Sequence, residues 1–198
     1  GILAAIAIPN FLEAQVRAKV AKIKSEMRTV ATALETYNVD NNDYPPGIAP
    51  MWINQAAPCA GGGFQSAWLL ELTQGGIVYP GASWYLTTPI QYLSSVPRDP
   101  FMSEYLHGIY PGYDFENASY WFRRFWGGCI HNLQIESAPG RGDGPLFRGV
   151  LWYLQSTGPD CIAWHHHWQF LYDPTNGTVS EGDIIWLNKE GLQGGGGR

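Results

Sequence analysis

The sequence predicts an α+β fold, in which a long N-terminal α-helix packs on a C-terminal antiparallel β-sheet and a loop-rich aromatic middle region joins the two. Three patterns predict it. An apolar stripe with helical spacing runs along residues 16–37, aromatic and β-branched residues fill 119–126 and 149–156, and residues 170–187 have the pattern of a strand, a turn and a strand. A helix and a sheet that each expose one apolar face bury those faces against each other, and this layout is α+β.

The helix prediction depends on regular spacing. Apolar residues recur at alternating intervals of four and three: Val16, Val20, Ile23, Met27, Val30, Leu34 and Tyr37. This spacing predicts one apolar helix face. The helix is predicted to end near Val39, where "DNNDYPPG" supplies stop signals. Asn10 and Glu13 have the spacing of a capping box, so the helix is expected to be broken near Pro9.

The first eight residues, "GILAAIAI", are apolar and carry no charge. A helix that spans a bilayer needs about 20 apolar residues, so this run is too short to cross a membrane alone. It is also too apolar to lie in water. The sequence therefore predicts a segment that another apolar surface covers.

The remaining chain divides into a connector and a sheet region. Residues 45–66 are rich in proline, glycine and alanine and are expected to be loop, and "SAWLLELTQGG" (66–76) is predicted to form a short helix. The aromatic and β-branched runs are predicted strands, and Asp-Pro and Asn-Gly supply the turn within 170–187. We therefore divide the chain into an N-terminal helix (1–40) and a head (41–198), which comprises a connector (41–118) and a sheet region (119–190).

Composition and charge exclude several classes of protein. Charged residues make up 15% and aromatic residues 14%, which indicates an aromatic-rich extracellular domain rather than a cytosolic enzyme. Residues 11–30 hold five basic and two acidic residues, whereas the other segments hold seven basic and fifteen acidic. The acidic body argues against nucleic-acid binding. The basic run either attracts the acidic body of a neighbouring copy or is a solvated helix face.

Motifs for catalysis are absent from the sequence. The three cysteines, Cys59, Cys129 and Cys161, form no CxxC pair, which excludes zinc-ribbon, thioredoxin-like and c-type haem sites. No ordered nucleophile, base and acid and no phosphate-binding loop stand out, so no enzymatic activity is predicted. The "HHH" run at 165–167 lacks a metalloprotease pattern and is better interpreted as surface histidines. With the surrounding tryptophans it supports one alternative of another class, a secreted metal- or carbohydrate-binding domain.

The segment "GILAAIAIPNFLEAQVRAKVAKIKSEMRTVATALETYNVDNNDYP" closely resembles the N-terminal region of type IV pilin-like proteins, especially the major pseudopilins of type II secretion. "LTTPIQYLSSVPRDPF" (86–101) resembles the connector of a bacterial branch of that family. "YLQSTGPD" (153–160) and "YDPTNGTVSEGDII" (172–185) resemble its C-terminal motifs. The resemblance covers roughly half of the chain and implies the pilin fold.

The resemblance also implies a life cycle and an assembly site. Family members lose a leader to a prepilin peptidase, are methylated at the new N-terminus, and stay in the inner membrane before assembly machinery adds them to a helical homopolymer. Their N-terminal apolar helix then packs in the filament core. The residues of this chain expected in that packing are Ile2, Leu3, Ile6, Ile8, Pro9, Phe11, Val16 and Val20.

Two filaments fit this resemblance. One is an extracellular type IV pilus-like fibre on a bacterial cell surface, and the other is the periplasmic pseudopilus of type II secretion. The large aromatic middle region, about residues 45–150, exceeds what a minimal pseudopilin needs and favours the surface fibre.

One cofactor follows from the resemblance. Major pseudopilins bind calcium in a C-terminal loop through carboxylates and backbone carbonyls, the oxygen ligands that Ca²⁺ prefers. The corresponding candidates are Asp160, Asp173 and Asp183, with Asp160 of "GPD" as the best match. The alternative is that these aspartates cap turns. No other cofactor is required.

Overall fold

The computed structural model describes residues 2–46, 63–68, 72–74, 77–79, 82–101, 119–126, 150–161, 171–175 and 182–188. Within these ranges the helices are α1 (Ile2–Asn41) and α2 (Ser83–Thr87). The strands are β1 (Gly63–Trp68), β2 (Leu72–Gln74), β3 (Ile77–Tyr79), β4 (Trp121–Trp126), β5 (Trp152–Ser156) and β6 (Ile184–Leu187). The structure confirms the α+β class.

The main sheet is antiparallel and has the strand order β1-β4-β5-β6. Its register pairs Phe122 with Leu154, and Leu154 in turn with Trp186. Strands β4, β5 and β6 come from the region that the sequence predicts to be the sheet. The edge strand β1 comes from the connector, so the sheet is wider than predicted. β2 and β3 form a separate two-stranded sheet.

One face of α1 packs against this sheet. Ile23, Met27, Val30 and Leu34 are fully buried. They share a core with aromatic and aliphatic side chains of the strands and their flanks: Tyr120, Phe122, Trp152, Leu154 and Ile184. The buried helix residues are those of the predicted stripe, so the helical period correctly identified the core face.

Two carboxylates of α1 bind aromatic residues that flank or belong to the sheet. Glu26 Oε2 accepts a hydrogen bond of 2.6 Å from the hydroxyl of Tyr120. Glu35 accepts one of 3.1 Å from the indole N–H of Trp152 and one of 2.9 Å from the hydroxyl of Tyr44. Because a buried phenol or indole needs a partner for its polar atom, the bonds from Tyr120 and Trp152 set the position of α1 over the sheet.

The predicted break near Pro9 is wrong, because α1 is continuous from Ile2 to Asn41. Asn10 lies inside α1, so it does not cap the start of the helix as predicted. Inside a helix, proline removes one backbone hydrogen bond and its ring crowds the carbonyl group four residues earlier, which costs about 3 kcal/mol. Its φ near −65° is nevertheless helical, and the alanine and leucine residues of "GILAAIAI" favour helix on the N-terminal side, so the helix can continue through the proline.

The predicted helix at 66–76 is also wrong. Residues 63–68 and 72–74 are strands, and Leu72 pairs with Tyr79 while Gln74 pairs with Ile77. Gly75-Gly76 separates β2 from β3 in the sequence, and Gly-Gly between two apolar runs is a signal for a two-residue hairpin. That signal outweighs the helical spacing of a segment this short.

The predicted hairpin at 170–187 is correct only in its second strand, β6. Leu171 makes a single bridge to Asp183, and that bridge is parallel. The backbone N–H of Tyr172 donates to the carbonyl oxygen of Asp183 at 3.0 Å. Asp173 Oδ1 then accepts the backbone N–H of Thr175 at 2.8 Å, an Asx turn that ends the extended chain.

The fold predicts a large difference between core and surface substitutions on α1. Leu34→Ala is expected to lower the free energy of unfolding by about 2 to 5 kcal/mol, because it leaves a cavity between α1 and the sheet. Gln15→Ala, on the exposed face, is the matched control and should change it by less than about 0.5 kcal/mol. Urea denaturation of the dilute monomer measures both, and equal effects would contradict the observed packing.

Candidate assembly surface and acidic loop cluster

The most conspicuous surface feature of α1 is an apolar cluster near its start. The exposed fractions of Ile8, Phe11 and Leu12 are 59%, 62% and 51%. The three residues have i, i+3 and i+4 spacing, so they share one helix face. We name them the proximal patch. Ile8 and Phe11 are among the predicted packing residues, whereas the sequence analysis missed Leu12, although its spacing from Ile8 was a signal.

The other predicted packing residues differ from these two. Val20 is only 5% exposed and belongs to the chain's own core, and Val16 is half-buried against that core. Val16 and Val20 thus pack within their own chain, whereas the resemblance implied that they pack against other copies. Ile2, Leu3, Ile6 and Pro9 lie within α1, but their side chains are outside the described residues.

The first part of α1 extends past the body of the protein. Among the side chains described between residues 8 and 19, none is buried, whereas buried residues recur from Val20 onward. An α-helix rises 1.5 Å per residue, so residues 8–15, which have no buried side chain among those described, form about 12 Å of helix. The proximal patch is therefore carried on a helical extension.

The basic residues of α1 contact the body of the same chain. Lys24 lies 5.8 Å from the ring centre of Tyr172, Arg28 5.8 Å from that of Trp186, and Lys19 5.6 Å from that of Phe101. At exposed sites such cation–π contacts are each worth about 0.5 to 1 kcal/mol. These three basic residues therefore contact aromatic rings of their own chain, in addition to facing solvent.

A second feature is the junction of two C-terminal loops. Asp160 Oδ2 accepts the backbone N–H of Gly182 at 3.0 Å, and Asp183 Oδ2 accepts the side-chain amide of Gln155 at 2.7 Å. Gly158 has a φ of +73°, and a Cβ there would lie 2.4 Å from the carbonyl oxygen of Gly182. Only glycine permits this close approach.

Two carboxyl groups at this junction are buried. Burial raises the pKa of Asp183 well above its usual value, the hydrogen bond from Gln155 opposes this, and the negative charges of Asp160 and Asp99 add to the rise. Burial also raises the pKa of Asp99 to about 6. The backbone N–H of Phe101 donates to Asp99 Oδ1 at 2.9 Å. Nothing in the sequence around Asp99 indicated that it would be buried.

Within the described part of the chain, each of the three candidate calcium ligands, Asp160, Asp173 and Asp183, accepts a hydrogen bond from the protein itself. The described residues contain no group of three or more histidine, cysteine, aspartate or glutamate side chains that could hold a metal ion. Asp173 binds Thr175, and Asp160 binds Gly182, whereas Asp183 Oδ1 is buried without a partner. Ca²⁺ requires six to eight oxygen ligands. Calcium binding stays a prediction, and His165–His167 lie outside the described residues.

A shallow groove of about 460 Å³ lies between α1 and the connector. Glu26 and Thr29 line it from α1, and Tyr92, Leu93, Ser94, Ser95 and Pro97 line it from the connector. Glu26 already accepts the hydroxyl of Tyr120 and pairs with Lys22 at 3.6 Å. Among these described residues there is no nucleophile–base pair.

No protein-family model matches the chain, and neither the curated proteins nor the solved structures include one with significant similarity to it. Among the helices in the described ranges, none combines the length and apolar character needed to cross a bilayer.

The buried carboxyl of Asp99 predicts a pH-dependent stability. Its folded-state pKa of about 6 lies above the ordinary 3.8, so the folded chain holds a proton that the unfolded chain releases. The stabilising effect is fully present below pH 3.8 and is lost as the pH rises through 6. We expect the free energy of unfolding to fall by roughly 3 kcal/mol between about pH 4 and pH 7 from this group.

Asp99→Asn should flatten this profile, because it removes the titrating group. Asp183 titrates in the same direction, so part of the slope should persist. Urea denaturation at a series of pH values measures the effect, and Asp43→Asn, at an exposed position just after α1, is the control. An unchanged slope in Asp99→Asn would contradict the burial of this carboxyl.

Proposed function

We propose that the chain is a structural subunit with the pilin fold, which polymerises through its N-terminal helix into a helical extracellular filament of the type IV pilus class. The proximal patch carries this proposal. Ile8, Phe11 and Leu12 expose more than half of their surface on a helical extension that the body of the chain does not cover. Exposed apolar clusters rimmed by polar residues mark interaction sites.

The energetics support association through this patch. Fully burying one large apolar side chain is worth roughly 1.5 to 3 kcal/mol, so three of them can supply a large part of an interface. The extension continues toward the apolar run 1–8, which lengthens the surface available for packing. The buried half of α1 anchors the extension rigidly to the head, so each added copy is held in a fixed orientation.

The proposal includes the partners that the resemblance implies. The chain forms a homopolymer, resides in the inner membrane before assembly, and is processed by a prepilin peptidase before assembly machinery takes it up. The large connector supports a filament displayed on the bacterial cell surface. Nucleic acid is not among the proposed partners, since the net charge is −5.

Electron microscopy of assembled protein tests the proposal. Wild-type chain is expected to form long fibres. Phe11→Asp/Leu12→Asp should reduce the polymer yield at least about tenfold, because it places charge where apolar surface must be buried. Asn10→Asp/Ala14→Asp adds the same charge on nearby exposed positions of the other helix faces and is the matched control, which should assemble normally.

Two results would contradict the proposal. One is wild-type protein that stays monodisperse, and the other is a patch variant that forms fibres as well as the control does. If wild-type chain forms no fibres and deletion of residues 1–12 leaves a folded protein that binds metal or carbohydrate, the binding-domain function replaces the filament function. Labelling of intact cells distinguishes a surface fibre, which is accessible from outside, from a periplasmic pseudopilus.

A further inference from the structure

Three buried oxygen atoms at one corner of the head have no hydrogen-bond partner. They are Oδ2 of Asp99, Oγ1 of Thr157 and Oδ1 of Asp183. The exposed fractions of these residues are 5%, 2% and 1%. A buried polar atom without a partner costs free energy, and a buried charge costs far more. The free energy of this corner therefore depends on whether its carboxyl groups are charged.

Contacts between the connector and the end of β5 build the corner. The backbone N–H of Phe101 donates to Asp99 Oδ1 at 2.9 Å, and the backbone of Thr157 also stabilises this carboxylate. Gln155 of β5 donates to Asp183 Oδ2 at 2.7 Å. We name the following residues the Asp99 corner: 97–101, 155–157 and 183.

The Asp99 corner meets α1 at the point where the helix leaves the body. Phe101 is 5% exposed and belongs to the core that α1 covers. Nζ of Lys19 lies 5.6 Å from the centre of its ring. Val20, the next residue of α1, is the first buried side chain among those described on this helix. The corner thus holds the connector against the first buried turn of α1.

The carboxyl groups around the corner oppose one another's ionisation. Negative charge on Glu26 of α1 adds to the rise in the pKa of Asp99, and negative charges on Asp160 and Asp99 add to the rise at Asp183. The hydroxyl of Tyr120 donates to Glu26, but this neutral group leaves the charge of Glu26 in place. Ionised Asp99 is therefore a buried charge close to other negative charges.

Basic side chains do not offset this charge within the described residues. None of the described lysine and arginine side chains forms an ion pair with Asp99. Lys22 pairs with Glu26 at 3.6 Å, Lys19 contacts an aromatic ring, and Arg98 is exposed to solvent. The buried charge on Asp99 is thus removed by a proton or solvated by water that enters the corner.

We propose that the Asp99 corner is a pH-operated clasp, which is closed while Asp99 carries a proton and opens locally when Asp99 ionises. Opening lets water solvate the carboxylate and releases residues 97–101 from the end of β5. Val30 and Leu34 are fully buried farther along α1, beyond Glu26, so the contacts between α1 and the sheet stay in place. The inference is independent of the proposed function.

Amide hydrogen exchange of the full chain, followed by NMR with a metal chelator present, tests the clasp. Between about pH 5 and about pH 7.5 the amide of Phe101 should lose protection by about tenfold, after correction for the intrinsic pH dependence of exchange. A pKa of about 6 for Asp99 in the closed form, against the ordinary 3.8, predicts this factor. At about pH 7.5 the amides of Val30 and Leu34 should stay at least about tenfold better protected than that of Phe101, because they exchange only on wider unfolding.

Asp99→Asn is the matched variant, because it keeps the shape of the side chain and cannot ionise. Its Phe101 amide should be equally protected at both pH values. Asp43→Asn, at an exposed position just after α1, is the control and should lose protection as wild type does. Asp183→Asn should retain most of the loss, because Asp99 rather than Asp183 operates the clasp.

Three results from wild-type chain would overturn the clasp, and none requires a variant to fold. One is equal protection of Phe101 at both pH values. Another is equal protection of Phe101 and Leu34 at about pH 7.5, because the corner would then open only when the whole chain unfolds. The third is protection that calcium or magnesium ions restore at about pH 7.5 without chelator, since a metal ion rather than a proton would then close the corner.

Discussion

Burial of one face of α1 against the main sheet is the interaction on which the rest of the structure depends. Ile23, Met27, Val30 and Leu34 lose all contact with water in this interface. Their positions along the helix leave Glu26 and Glu35 within reach of aromatic residues of the opposite layer. The apolar stripe thus provides the free energy, and the two carboxylates set the position of the helix, because a hydrogen bond tolerates less displacement than an apolar contact does.

The same packing determines which parts of α1 stay available to other molecules. The sheet covers only the middle and later turns of the helix, so its beginning extends past the body and its end is held against α2. Apolar side chains are exposed at both places. The exposed beginning of α1 is the surface that we propose other copies cover.

At the junction of the two C-terminal loops, close packing buries carboxyl groups, and this burial lowers the stability of the fold. Asp183 and Asp99 are buried, and burial is the main reason that the pKa of each is raised. The negative charge of Asp99 adds to the rise at Asp183, and that of Glu26 adds to the rise at Asp99. The backbone at Gly158 lies too close to the carbonyl oxygen of Gly182 to admit a larger side chain. Buried carboxyl groups without a cation oppose folding when they ionise. The core between α1 and the sheet must offset that cost.

Local spacing in the sequence determined the α+β class, the buried face of α1 and the strands β4, β5 and β6. These features follow from residues close together in the chain. Only the tertiary structure decided that β1 joins the sheet edge, that Leu171 meets Asp183 in parallel, that Val20 is internal and that Asp99 is buried. Strand pairing and burial depend on contacts between residues far apart in the chain, and local periodicity carries no information about those distances.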